Sequence, residues 1–254
     1  MQETITSRKN PLIAHVRQLL SSRSARREAG EFAGDGEKLL EEAVRWGAEL
    51  TAVLYTPQAR LPALPDTVRQ VLVPEDVMQS VSPMKSPQGA LFLGKIPETT
   101  PPERLSGRRW LVLDGLQDPG NVGTIWRTAD ALGADGLLLV NRCADPWGHK
   151  TVRATMGACF RLPAWELEPA ELSGLLERSG LPLYAAALGE HTEDIRTLDG
   201  GRCALAVGSE GQGLSPEVLA LSKTRIVIPM RERCESLNAA AAAAILLWEL
   251  ARRD

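Results

Sequence analysis

After residue 108 the sequence repeatedly drops into short apolar runs, at 110–113, 137–140, 183–188, 203–207 and 225–228, separated by stretches with helical periodicity. Runs this short cannot be buried helices, and they lack the in-out alternation of a half-exposed strand, so they read as strands covered on both faces. Strands of that kind belong to a parallel sheet wrapped by helices, which makes the fold class α/β.

Three polar, glycine-punctuated segments stand where such strands end: 114–123 running on to Arg127, 207–214, and 228–238. In an open α/β sheet a ligand binds outside the carboxyl ends of the strands, so three such loops on one edge outline one site. In the first, Asp118, Pro119 and Gly120 supply turn chemistry and Asn121 suits a helix cap, which sets Arg127 near the second turn of the helix. The second follows an apolar strand as a phosphate loop would. Leu214 stands where that loop needs lysine, and Pro216 stands where a dinucleotide fingerprint needs its last glycine. What remains is a turn that lets main-chain groups approach a ligand while presenting one carboxylate, Glu210. The third turns at Pro229 and enters a helix, with Ser236 and Asn238 at its polar start and Ser236 a candidate cap. The alanine run 239–244 favours helix and reads as a close-packing surface, a candidate contact between subunits.

Residues 94–107 hold three prolines and two glycines without an apolar period, which is how a linker reads. The expected domains are therefore 1–104 and 105–254. Before the linker, helical patterns at 11–20 and 36–46 and a strand at 50–55 indicate a small α/β module. Its stretch 8–27 carries Arg8, Lys9, Arg17, Arg23, Arg26 and Arg27 and no acidic residue, a candidate phosphate contact inside a chain of net charge −3.

Cys143, Cys159, Cys203 and Cys234 form no CxxC pair, and His15, His149 and His191 do not cluster with them, so no metal site is expected. The start lacks the apolar core of a secretory signal and the longest apolar run, 239–248, is too short to span a bilayer. A cytoplasmic protein without a membrane partner is the expectation.

Together, Asn121, Gly123 and Arg127, then Gly208, Glu210, Gly213 and Leu214, then Ile228, Pro229 and Met230 with Ser236, Leu237 and Asn238, resemble the three signature motifs of the SpoU (TrmH) RNA ribose 2'-O-methyltransferases of the SPOUT superfamily. Residues 7–11, 35–40 and 86–89 look like the ribosomal-protein-like α/β domain that contacts RNA ahead of the catalytic domain in many of these enzymes. The resemblance implies a C-terminal trefoil knot, a feature too rare for pattern to suggest. It also implies S-adenosyl-L-methionine held by Gly208, Ile228 and Leu237, with Leu188 and Met230 as apolar neighbours. A homodimer would complete the site, and the RNA would be rRNA first and tRNA second. Asn121, Arg127, Glu210, Ser236 and Asn238 take the catalytic positions.

Arg127 matches an arginine that the family is often said to use as a base. Holding any guanidinium neutral at pH 7 costs about 7 kcal/mol or more, so a charged grip on the target phosphate and the developing alkoxide is the better physical reading. Two positions depart from the family pattern: Glu232 replaces a common glycine and Ala240 a common serine. A non-methylating RNA-binding protein of the same fold is one rival. A dinucleotide-dependent oxidoreductase is another, disfavoured by the missing glycine fingerprint.

Overall fold

The structure, a computed structural model, describes residues 3–189, 191–198, 201–209, 211–231 and 236–252. It divides into two compact units, Met1–Pro97 with Trp147–Phe160, and Glu98–Pro146 with Arg161–Asp254.

The first unit contains β1 (Glu3–Thr4), α1 (Pro11–Ser21), α2 (Arg23–Ala29), β2 (Glu31–Asp35), α3 (Glu37–Arg45), β3 (Leu50–Tyr55), β4 (Arg69–Leu72), α4 (Glu75–Val81) and β5 (Ala90–Lys95). Local chemistry explains the helix starts. Asn10 caps α1 by accepting from the Leu12 amide at 2.9 Å, and Pro11 takes the first helical position, where no amide proton is needed. Ser22 ends α1 and caps α2 through the Ala25 amide at 3.2 Å. The sheet is mixed, in the order β1-β4-β3-β5-β2, with β1, β4 and β3 parallel and β5 antiparallel to both β3 and β2. Ile13, Val16 and Leu19 of α1 and Val77 and Met78 of α4 close its core against Leu54, Val71 and Leu91.

The second unit runs β6 (Arg109–Asp114), α5 (Pro119–Ala131) and β7 (Gly136–Val140); the chain then supplies α6 (His149–Thr155) to the first unit. It continues with β8 (Ala164–Glu166), α7 (Pro169–Ser179), β9 (Leu183–Ala186), β10 (Thr192–Asp194), β11 (Cys203–Gly208), α8 (Pro216–Leu221), β12 (Ser222–Val227) and α9 (Ala239–Ala251). All seven strands are parallel, in the order β10-β12-β9-β11-β6-β7-β8. The buried side chains of β6, β7 and β11 show why the apolar runs are continuous: helices cover both faces. No helix among the described residues is long and apolar enough to cross a membrane.

Several expectations change. Trp147–Phe160 lies past the linker in sequence yet packs in the first unit, because Trp147 and Phe160 join Phe32 in an aromatic cluster with ring centroids 5.0 and 6.1 Å away. The cap of α5 is Asp118, which accepts from the Asn121 amide at 2.8 Å, not Asn121; Pro119 begins the helix, so the residue before it becomes the cap. The cap of α9 is Asn238 rather than Ser236, accepting from the amides of Ala240 and Ala241 at 3.0 and 3.2 Å. Within the run 239–244, Ala239, Ala240 and Ala243 are buried, and α9 packs on α5 and β11 of its own unit. Those three alanines pack within their own unit.

Candidate functional site

Register aligns the strand ends: Gly208 pairs with Asp114, Asp114 with Val140, and Ala186 with Ile226. Beyond them lies a cavity of about 370 Å³, large enough for a small ligand. Its walls come from 186–188, 207–209, 212–214, 226–228, Met230, Ser236 and Leu237, with Ala239, Ala242 and Leu246 of α9. Leu188, Gly208, Ile228, Met230 and Leu237, which the resemblance assigns to the cofactor, thus lie on one cavity, with Ser236 beside them.

The loop after β11 is tightly built. Ser209 and Gly213 exchange amide-to-carbonyl bonds at 3.1 and 2.9 Å, and Gly213 sits at φ +68°, a conformation that favours glycine. A Cβ on Gly208 would strike the Gly213 carbonyl and the Leu214 amide, so only glycine fits there. Glu210 lies outside the described residues, as do Glu232 and Cys234.

Asp114 fixes this loop, and sequence reading missed that role. At 2% exposed, its Oδ2 accepts from the Ser215 amide at 2.6 Å and its Oδ1 from Asn141 Nδ2 at 2.7 Å. Asn141 Nδ2 also donates to Ser215 Oγ at 3.0 Å, and Ser215 caps α8 through the Val218 amide at 3.3 Å. One buried carboxylate thereby ties the ends of β6 and β7 to the loop that walls the cavity. Cys143, buried under the same strand ends, is inert: burial pushes its thiol up to about 11.

The first and third segments meet at a side-chain bond, with Asn238 Nδ2 donating to Asn121 Oδ1 at 3.1 Å while Asn238 Oδ1 caps α9. Arg127 is placed differently. It is exposed, it is not among the residues lining the cavity, and it has no hydrogen-bond or ion-pair partner among the described residues. Six residues beyond Asn121, it points about 120° away from it around α5. The fold gathers Asn121 and Asn238, and separates Arg127 from the cavity of its own chain.

In the first unit the basic set divides. Lys9 and Arg27 are exposed, and Arg8 holds Asp76 at 2.8 Å in an exposed ion pair. Arg17 donates to Ser80 Oγ and to the Arg8 carbonyl, both at 3.0 Å, and Arg23 is half-buried. Arg26 corrects the expectation: at 6% exposed, its guanidinium donates to the Leu19 carbonyl, so it braces α1 and α2 and is not a surface for phosphate.

Residues 108–248 match the SpoU rRNA methylase family, and residues 10–91 match the MRM3-like substrate binding domain. The 23S rRNA (guanosine(2553)-2'-O)-methyltransferase of Bacillus subtilis is 31% identical over 97% of this chain and 98% of its own length. Among solved structures, the AdoMet-bound rRNA methyltransferase from Sinorhizobium meliloti superposes with a TM-score of 0.87 at 31% identity, covering 98% of this chain and 97% of that one. The SpoU methyltransferase AviRb from Streptomyces viridochromogenes, in complex with AdoMet, gives 0.88 at 28% identity over 96% and 98%. With a parallel sheet that gathers the three motif segments at its carboxyl edge and a family match over more than half its length, the chain belongs to the SpoU rRNA methylase family.

Proposed function

We propose that the protein transfers the methyl group of S-adenosyl-L-methionine to a ribose 2'-hydroxyl of RNA, with rRNA ahead of tRNA as substrate, in the cytoplasm and as a homodimer. The observation that carries this reading is the strand-end cavity. Gly208, Ile228 and Leu237, whose main-chain groups would hold the cofactor, line it together with Leu188, Met230 and Leu246, a lining that suits an adenosine joined to an aliphatic chain. When bound, the cofactor supplies an electrophilic methyl carbon and a neutral thioether leaving group. The leaving group needs no acid, so the chain's task is to position and stabilise the attacking hydroxyl.

Asn238, held against Asn121 and fixed at the start of α9, would orient the ribose at the cavity mouth. Glu210 would add a hydrogen-bond acceptor. Arg127 is exposed and has no partner among the described residues, which supports its use in the site of a second copy, where a charged guanidinium would hold the target phosphate and the forming alkoxide. The exposed Ile245 and Trp248 on α9 supply an apolar face for such a copy. A C-terminal knot is consistent with two features. β12 lies between β9 and β10, and the segment after it walls the same cavity as 186–188 and 207–209.

Tritiated methyl transfer to total RNA, followed by mapping of 2'-O-methylated positions in rRNA and tRNA, tests the reading. Arg127→Lys retains appreciable turnover and Arg127→Ala loses it together with RNA affinity. Full activity of a strictly monomeric protein, or of the alanine variant, overturns the reading.

A further inference from the structure

A second cavity, of about 480 Å³, lies wholly in the first unit, between the start of α3, residues 56–59, α4 and residues 85–89. Its floor combines Met78, buried and apolar, with Thr56, which is 6% exposed and whose hydroxyl has no hydrogen-bond partner among the described residues. Thr56 lines the cavity, and its hydroxyl can both donate to and accept from a ligand atom there. Two glycines keep the way to it open. Gly89 sits at φ +80°, and a Cβ there would come within 3.1 Å of Thr56 Oγ1; Gly36 sits at φ +107°, and a Cβ there would come within 2.6 Å of Gln88 Oε1.

The rim decides the chemistry. Glu37 and Glu75 line it, and one Glu37 oxygen is occupied by the Arg60 amide at 2.9 Å, which anchors that carboxylate at the rim. Two carboxylates repel phosphate and attract N–H donors, while Lys85 and Gln88 offer donors to carbonyl oxygens. A flat ligand with adjacent N–H groups, a carbonyl and an apolar face meets all of these. Unpaired bases splayed from RNA loops are read in this way, by edge bonds and apolar contact.

From this we infer that the cavity takes an unpaired guanine of the RNA substrate, its N1–H and N2 amine on Glu37, one edge on Thr56 and its face on Met78. The inference rests on the proposed function for the RNA; its location rests on this cavity, which lies within the matched substrate binding domain.

The test uses the full chain and fluorescence anisotropy with single-stranded oligonucleotides about eight nucleotides long, guanine-containing or uridine-only, so that the phosphate count is equal. Wild type binds the guanine oligomer about tenfold tighter. Glu37→Gln, which keeps the acceptor for Arg60, and Thr56→Val, which keeps shape, abolish that preference and leave uridine binding and melting temperature unchanged. No guanine preference in wild type, preference for another base, or a preference that survives both substitutions overturns the proposal. S-adenosylmethionine binding and methyl transfer are measured on the same samples. Intact transfer without guanine preference defeats only the cavity, whereas wild type that neither binds the cofactor nor transfers methyl defeats the proposed function.

Discussion

Replacing Asp114 by alanine separates the network beneath the cavity from the rest of the fold. The substitution removes both acceptors at once, leaving the half-buried Ser215 amide without its partner and Asn141 Nδ2 with only its bond to Ser215 Oγ. An orphaned amide plus one lost charge-assisted bond amounts to about 3 kcal/mol. For a chain of this size that lowers the melting temperature by about 6–12 °C. The loop 209–215 loses its tie to β6, so affinity for S-adenosylmethionine, read by titration calorimetry, falls with stability. Asp114→Asn is the informative control. Its Oδ1 still accepts from Ser215, and Asn141 can turn its amide to present an oxygen to the new Nδ2, so its loss is smaller than that of alanine. An alanine variant that melts within about 2 °C of wild type refutes the energetics. One that melts early yet binds the cofactor unchanged refutes the link between the network and the cavity.

Gly208→Ala forces a Cβ into the backbone of Gly213 and Leu214, which cannot rotate aside, so cofactor affinity drops at least about tenfold in calorimetry. Unchanged affinity would show that the loop yields. His149 gives a pH prediction: burial lowers its pKa from 6.5, followed by an opposing bond to the Leu20 carbonyl and repulsion from Lys150 and Arg26. A lowered value means the unfolded chain binds the proton first, so the stability this neutral ring contributes is present above pH 6.5 and lost as pH falls through the lowered value. Melting temperature measured from pH 7.5 to 5 therefore declines in wild type, and His149→Asn flattens the decline; equal slopes would remove His149 as the cause.

What the sequence disclosed was local or strongly patterned. The runs at 110–113 and 137–140 became β6 and β7 because a doubly covered strand has nothing to interrupt it, and Pro11 opened α1 because a proline's missing amide costs nothing there. The edge strands β8 and β10 escaped, being three residues long and without the apolar run that marks β6 or β11. The first part of β12 escaped too, since its exposed Lys223 and Arg225 hide the strand within a polar stretch. The segment Trp147–Phe160 was assigned by sequence neighbourhood, whereas aromatic contact with Phe32, over a hundred positions away, decides its place.

At the site the same division holds for a reason of geometry. Gly208 and Asn238 were legible because a glycine between a strand and a turn, or an asparagine before a helix, has few other uses. Asp114 was not, because an aspartate ending a strand looks identical whether it faces solvent or anchors a loop. Only the register that sets Gly208, Asp114 and Val140 side by side brings Ser215, 101 positions later, onto its carboxylate. Arg127 shows the converse. Its motif position was legible and its placement was not, since it is exposed on its helix and does not line the cavity that Gly208, Ile228, Met230, Ser236 and Leu237 share. A motif fixes which side chains a reaction needs, but the chain in whose cavity each one works is decided by packing. For Arg127 that packing points outward, to a surface that a second copy could cover.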